Sequence, residues 1–199
     1  LFSTSFLRRR DLLNSIKNNS KYIGGHVLDV GSGDKPYQRL FKYKKYVGLD
    51  TEKSGHDHKE ETIDVLYDGK NFPFKEASFD SILSFEVLEH VEDLDLIISE
   101  MARVLKKNGK LLITTPFIWN IFEKNNFKIK NIEKISNDYS IIFQIMQLYL
   151  QEGTFHKNYL TRIFITPIIC FYNLLGILSK IFPKTEKIYG GNLIVATKK

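Results

Sequence analysis

Val27-Leu28-Asp29-Val30-Gly31-Ser32-Gly33-Asp34-Lys35-Pro36 decides how this chain is read. A short apolar run, beginning at His26, ends abruptly at two glycines one residue apart. Such a run, bounded by a glycine turn, reads as a buried strand. The glycines let the backbone turn tightly and approach a ligand with no Cβ in the way. Pro36 suits the first turn of a helix that follows.

Working outward, Tyr46-Val47-Gly48-Leu49-Asp50 reads as a second strand, and residues 62–66 and 79–85 as a third and a fourth. Residues 110–115, β-branched and apolar, make a fifth that Pro116 stops. Residues 127–135 alternate as a half-exposed strand would, and residues 192–197 close the set. Residues 5–18 read as an amphipathic helix. In a second helix Leu94, Ile97, Ile98, Met101, Val104 and Leu105 recur at intervals of three and four. Glu92, Asp93 and Asp95 at its start and Lys106 and Lys107 at its end suit the helix dipole, with Gly109 as the cap. Strands alternating with helices predict an α/β fold: a doubly wound, mostly parallel seven-stranded sheet with helices on both faces, Rossmann-like. Ligands of such sheets bind beyond the carboxyl ends of the strands, near the switch in strand order.

The composition suits one domain spanning residues 1–199, with a core over residues 20–120 and an apolar, basic elaboration over residues 136–190. An apolar fraction of 43% and a charged fraction of 26% exclude wholesale disorder. Cys170 is the single cysteine, so neither an intrachain disulfide nor a CxxC zinc site is available. No secretory leader is visible, and the expected setting is cytoplasmic, including the inner face of a membrane. The net charge of +6 comes entirely from residues 121–199, which hold 11 basic and 5 acidic residues. On a lysine-rich chain the plain reading is a solvated face; the sharper one is attraction to an anionic partner. His56-Asp57-His58 with Glu60 and Glu61 has the residue types of a metal site, but with no third histidine nearby it reads as a solvated loop, and no metal is expected.

The glycine turn and Asp50, 19 positions beyond Gly31, together specify an adenosine-type cofactor, because a carboxylate there can accept from both ribose hydroxyls. A dinucleotide fits poorly. Counting GxGxxG from Gly31 puts Pro36 where a third small residue belongs, and Asp34 brings negative charge toward the place of two phosphates. A phosphate-free cofactor with a cationic centre fits better, and S-adenosyl-L-methionine is one.

At this point the sequence resembles the class I S-adenosylmethionine-dependent methyltransferases, in particular the type 11 group. The resemblance runs through residues 27–33, Val47-Gly48-Leu49-Asp50, Phe72-Pro73-Phe74 with Ser78-Phe79-Asp80, Glu86-Val87-Leu88-Glu89-His90-Val91, and residues 103–111. It implies that Asp29 and the backbone of Gly31, Ser32 and Gly33 hold the methionine part, and that Asp50 takes the ribose. It also implies that the acid closing strand three meets the adenine amino group: Asp64 is the choice, with Asp68 as alternative. Phe85 and Glu86 would border cofactor and acceptor, and S-adenosyl-L-homocysteine would be the product. A catalytic base is needed only if the acceptor must lose a proton, and Glu86 and His90 are weak candidates.

Residues 163–182 are unusually apolar, with 14 of 20 being Ile, Leu, Phe, Tyr or Cys. Thr166-Pro167 marks a helix start, giving about 16 residues or about 24 Å, shorter than a bilayer core of about 30 Å. The plain reading packs this helix on the sheet or on a second subunit, as in a homodimer. The sharper reading lays it on a membrane or against a lipid-linked acceptor. Only 11 residues, 116–126, join strand five to the next strand. That is short for a crossover with its helix, so residues are expected to be missing at Asn120–Ile121. The acceptor expected from such relatives is a small molecule, a saccharide or a lipid-linked glycan, with no nucleic acid. Two other readings stand beside this one: a cofactor-binding scaffold that no longer methylates, and a nicotinamide-dependent dehydrogenase.

Overall fold

A computed structural model describes residues 6–51, 63–115, 119–135, 142, 159–181 and 191–199. The strands are β1 (His26–Val30), β2 (Lys45–Thr51), β3 (Val65–Tyr67), β4 (Phe79–Ser84), β5 (Leu105–Thr115), β6 (Phe127–Ile135) and β7 (Gly191–Lys198). The helices are α1 (Phe6–Asn19), α2 (Leu94–Val104), α3 (Trp119–Lys124) and α4 (Tyr159–Leu178). The strands form one seven-stranded sheet in the order β3-β2-β1-β4-β5-β7-β6. β1 pairs in parallel with β2 and β4, β2 with β3 and β4 with β5, whereas β7 runs antiparallel to β5. The chain therefore winds outward from β1 to β3, then returns to β4 on the other side of β1. That reversal puts the switch point over the carboxyl ends of β1 and β4, where Gly31 and Phe85 stand.

Packing resolves into two compact units: residues 1–15 with 134–191, and residues 16–133 with 192–199. In the second, Leu28, Ile82, Leu111, Ile113 and Ile194 meet Ile97, Ile98, Met101 and Val104 of α2 and Phe122 of α3 in one core. The other face of the sheet is buried too, at Val27, Leu83, Leu112 and Val195, as expected where strands are covered on both sides.

Two expectations are corrected. α2 ends at Val104, ahead of Gly109, because the Arg103 and Val104 carbonyls accept from the Ala77 and Ser78 amides. The last turn is thus satisfied from outside the helix, and β5 starts at once. Its start is acidic as expected, with the Asp93 side chain accepting from the Leu96 N–H at 3.0 Å. α3, a six-residue helix, runs through Asn120 and Ile121 on the link from β5 to β6. α4 starts at Tyr159, not at Thr166, and continues through Pro167. Its 20 residues span about 30 Å, so length no longer argues against crossing a bilayer. Among the described residues no helix is long and apolar enough to cross one.

Candidate functional site

The segment after β1 clings to the end of β2. The Gly31 and Ser32 amides both donate to the Leu49 carbonyl, at 2.8 and 3.2 Å. The Gly33 amide donates to Asp50 Oδ2 at 2.9 Å, and Asp50 Oδ1 accepts from the Thr51 amide at 2.8 Å. Asp50 is buried at the carboxyl end of its strand. The two glycines do different work, although both have positive φ (71° and 44°). A Cβ on Gly31 would lie 2.3 Å from Val87 Cγ2, so this glycine admits the segment after β4. Among the described residues a Cβ on Gly33 would meet nothing within 4 Å.

Asp29 is the fourth residue of β1, and its register partner is Gly48. The Tyr46 hydroxyl donates to Asp29 Oδ2 at 2.6 Å. Burial pushes the Asp29 carboxyl from 3.8 up to about 7; the Tyr46 hydrogen bond lowers it, Asp50 raises it and Lys35 lowers it. Tyr46 is itself pushed well above its ordinary value, first by burial and then by the Asp29 charge. Lys35 has a positive φ of 51° and folds its stem across Gly48, where a Cβ would stand 2.4 Å from Lys35 Cε. Its ammonium pairs with Asp64 Oδ2 at 2.7 Å. The same oxygen accepts from the Gly48 amide at 2.7 Å. Burial pushes Asp64 up, but the Gly48 amide and Lys35 outweigh it and hold this carboxyl below its ordinary value.

Asp64 therefore stands ahead of β3, not at its close. Asp68 follows β3, and its Oδ1 accepts from the Lys70 and Asn71 amides, both at 2.8 Å. Beyond β4, Phe85 is buried with Tyr37 edge-on at 5.3 Å and Phe41 stacked at 6.5 Å. Glu86 takes a positive φ of 58°, and its amide donates to Thr114 Oγ1 at 2.7 Å. Left-handed backbone at a non-glycine costs of order 1–3 kcal/mol and gathers at functional sites. His90 is exposed at the end of a 3-10 turn over Leu88–His90. The glycine turn, Lys35, Asp50 and Asp64 thus form one hydrogen-bonded group, Asp29 is held by Tyr46 on the neighbouring strand, and Glu86 and His90 lie on the segment after β4. His56, Asp57 and His58 lie outside the described residues, and among the described residues no cluster could hold a metal ion.

Sequence reasoning missed Lys35, Tyr46 and the aromatic pair on Phe85. Tyr46 was within reach: strand alternation puts Tyr46, Gly48 and Asp50 on one face of β2, and the bare Gly48 leaves room beside Asp29.

Residues 28–113 match the model of a family described as "Methyltransferase domain". An uncharacterised protein of Methanocaldococcus jannaschii is 30% identical over 176 residues, covering 85% of this chain and 71% of that protein. A ubiquinone biosynthesis O-methyltransferase of Pelagibacter ubique is 34% identical over 100 residues, covering 45% of this chain and 41% of that protein. Among solved structures, a phosphoethanolamine N-methyltransferase of Haemonchus contortus in complex with S-adenosyl-L-methionine superposes with a TM-score of 0.53 at 17% identity, over 96% of this chain and 52% of that one. That likeness shows the fold. The chain spans about half the length, or less, of the first curated relatives it matches. On this match, and on a glycine turn tied to an acid at the end of β2, the chain belongs to the class I S-adenosylmethionine-dependent methyltransferases of the type 11 group.

Proposed function

We propose that this chain binds S-adenosyl-L-methionine at the Gly31–Gly33 turn and transfers its methyl group to an acceptor, leaving S-adenosyl-L-homocysteine. The observation that carries this reading is the glycine turn tied to the buried carboxylate of Asp50, with no atom of the described residues within 4 Å of a Cβ on Gly33. The donor set fits this cofactor. Asp29 is a buried acid poised near neutrality, which a nearby ammonium or sulfonium would hold ionised. Lys35 is neutralised by Asp64, so no unpaired cation of this pair opposes a cationic ligand. Bound there, the cofactor supplies a methyl carbon activated by positive sulfur.

The chain's own residues would do the rest. Asp50 takes the ribose hydroxyls, and the amides of the glycine turn border the methionine part. Asp64 and Asp68 remain the two choices for the adenine amino group; Asp68, at the carboxyl end of β3, is the better placed by strand direction. Phe85, braced by Tyr37 and Phe41, walls the cofactor, and Glu86 opens toward the acceptor. Holding donor and acceptor in line is the main catalytic task, and alignment of this kind is worth roughly 7–11 kcal/mol. Glu86 and His90 are the side chains to test as base if the acceptor is a hydroxyl. For the acceptor we propose a saccharide or lipid-linked glycan intermediate, on the strength of the apolar, basic stretch before β7.

Titration calorimetry with S-adenosyl-L-methionine, S-adenosyl-L-homocysteine and NAD tests the cofactor. Saturable binding of the first two and not the third supports it, and the reverse puts a dehydrogenase in its place. Transfer of a labelled methyl group into the organic phase of a cell extract tests the acceptor. Binding without any transfer would leave a scaffold.

A further inference from the structure

Outside the glycine turn, the most unusual surface is on α4. Ile168, Phe171, Leu174 and Leu178, with Ile181 in the 3-10 turn that follows, are all exposed, from 43% at Ile168 to 82% at Ile181. Their spacings of three, three, four and three residues put them on one side of the helix. The opposite side is engaged within the same compact unit. A Cβ on Gly176 would lie 2.3 Å from Leu7 of α1, Lys180 pairs with Asp11, and Asn173 and Ser179 are buried. A surface helix of a globular protein normally turns its polar side to water. Here the side turned outward is apolar.

Charge says what this face suits. The unit formed by residues 1–15 and 134–191 holds nine basic and four acidic residues, a net of +5 out of the chain's +6. No Asp or Glu occurs from residue 153 to residue 185, while Lys157, Arg162 and Lys184 do, besides the Asp11-paired Lys180. α1 adds the exposed Arg8 and Arg9 to the same unit. We infer that the outer face of α4 lies on an anionic lipid bilayer, its aliphatic and phenyl side chains entering the headgroup boundary and the basic residues meeting lipid phosphates. An apolar helix face in a basic setting binds by buried apolar area plus attraction to anionic lipid. A protein partner or a second copy would use the apolar face but would not call for the surplus of positive charge.

The test is co-sedimentation of the full chain with phosphatidylcholine vesicles, with and without phosphatidylglycerol. The proposal expects binding to the anionic vesicles that weakens as salt rises above about 0.1 M, since surface charges are then screened. It also expects a fall of at least about tenfold in partition for the double variant Phe171→Glu, Leu178→Glu, which removes apolar area and adds repulsion. Both positions are exposed, so the variant should keep its far-ultraviolet circular dichroism and its affinity for S-adenosyl-L-methionine. The salt dependence of the unaltered protein is read independently of any variant. Failure to bind anionic vesicles, or undiminished binding by the double variant, would overturn the proposal. So would a dimer that this variant splits, because the face would then belong to a second copy. None of these outcomes bears on cofactor binding, which is measured separately.

Discussion

Replacing Asp29 by Asn should make the protein more stable at alkaline pH while costing it cofactor affinity. The Asp29 carboxyl is buried and pushed from 3.8 to about 7. At about 1.4 kcal/mol per pH unit, keeping it ionised in the fold costs at most about 4 kcal/mol. Between pH values of about 4 and 7 the native state holds a proton that the unfolded chain has lost. Stability therefore falls as pH rises through that window and levels off above it. Asp29→Asn removes this titration. Relative to the unaltered protein, its unfolding free energy should rise by about 2–4 kcal/mol from pH 4 to pH 8. Cofactor affinity runs the other way. A cationic ligand needs the ionised carboxylate, so the advantage of the unaltered protein over Asp29→Asn should shrink about tenfold for each pH unit below 7. Tyr46→Phe removes the hydrogen bond that lowers the Asp29 value, so it should move both midpoints upward. Urea unfolding and titration calorimetry of the three proteins across this range give both curves. A stability difference between the unaltered protein and Asp29→Asn that stays constant with pH would refute the reasoning, because the buried acid would then not titrate there.

The two glycines of the turn should separate folding from binding. Gly31→Ala puts a methyl against Val87 at positive φ and should cost about 2–4 kcal/mol of stability, read by denaturant unfolding. Gly33→Ala meets no atom of the described residues and should cost only about 1 kcal/mol, yet lower cofactor affinity by calorimetry because its methyl enters the proposed cofactor space. Asp50 both ties the Gly33 amide and faces the proposed ribose position. Asp50→Ala should therefore weaken S-adenosyl-L-methionine by about a hundredfold, and Asp50→Asn, which keeps one acceptor, by about tenfold; equal losses would dissolve the double role. Arg103 donates to the Phe72 and Phe74 carbonyls and to Glu100, so Arg103→Met should cost about 2 kcal/mol, discounted for its partial exposure. A thermal melt unchanged by this variant would show that the network contributes nothing.

Much of the fold was legible because its signals are local. β1, β2 and β4 are short apolar runs between turn residues, and their nearly unbroken burial is what a central parallel strand requires. α2 announced itself by periodicity and by its acidic start. Its end was misread because the feature that stops it is not local. The carbonyls of its last turn are taken by the Ala77 and Ser78 amides, which lie before β4 and far back in the chain, and no pattern near Gly109 records that. The start of α4 was misplaced for the opposite reason. Pro167 is a strong local signal for a first turn, but the helix continues on both sides of it through a mostly apolar sequence.

The site divides along the same line. Gly31, Gly33 and Asp50 could be read because their roles follow from backbone freedom and from position at a strand's end. Asp64 could not, because it turns on where β3 begins, and Leu49 pairing with Val65 sets that register across a connection whose length the sequence does not interpret. The consequence reaches the chemistry. With Asp64 ahead of the strand, its carboxylate neutralises Lys35 and holds the Gly48 amide, so an acid chosen for adenine is already occupied by the protein itself. The same pairing explains how the turn carries a lysine beside a site proposed for a cationic ligand. The Lys35 stem lies in the groove that Gly48 leaves open, and its charge is neutralised by Asp64. A glycine on β2, a lysine after β1 and an acid before β3 form one arrangement. Each looks ordinary alone, and together they neutralise the lysine that the glycine turn carries.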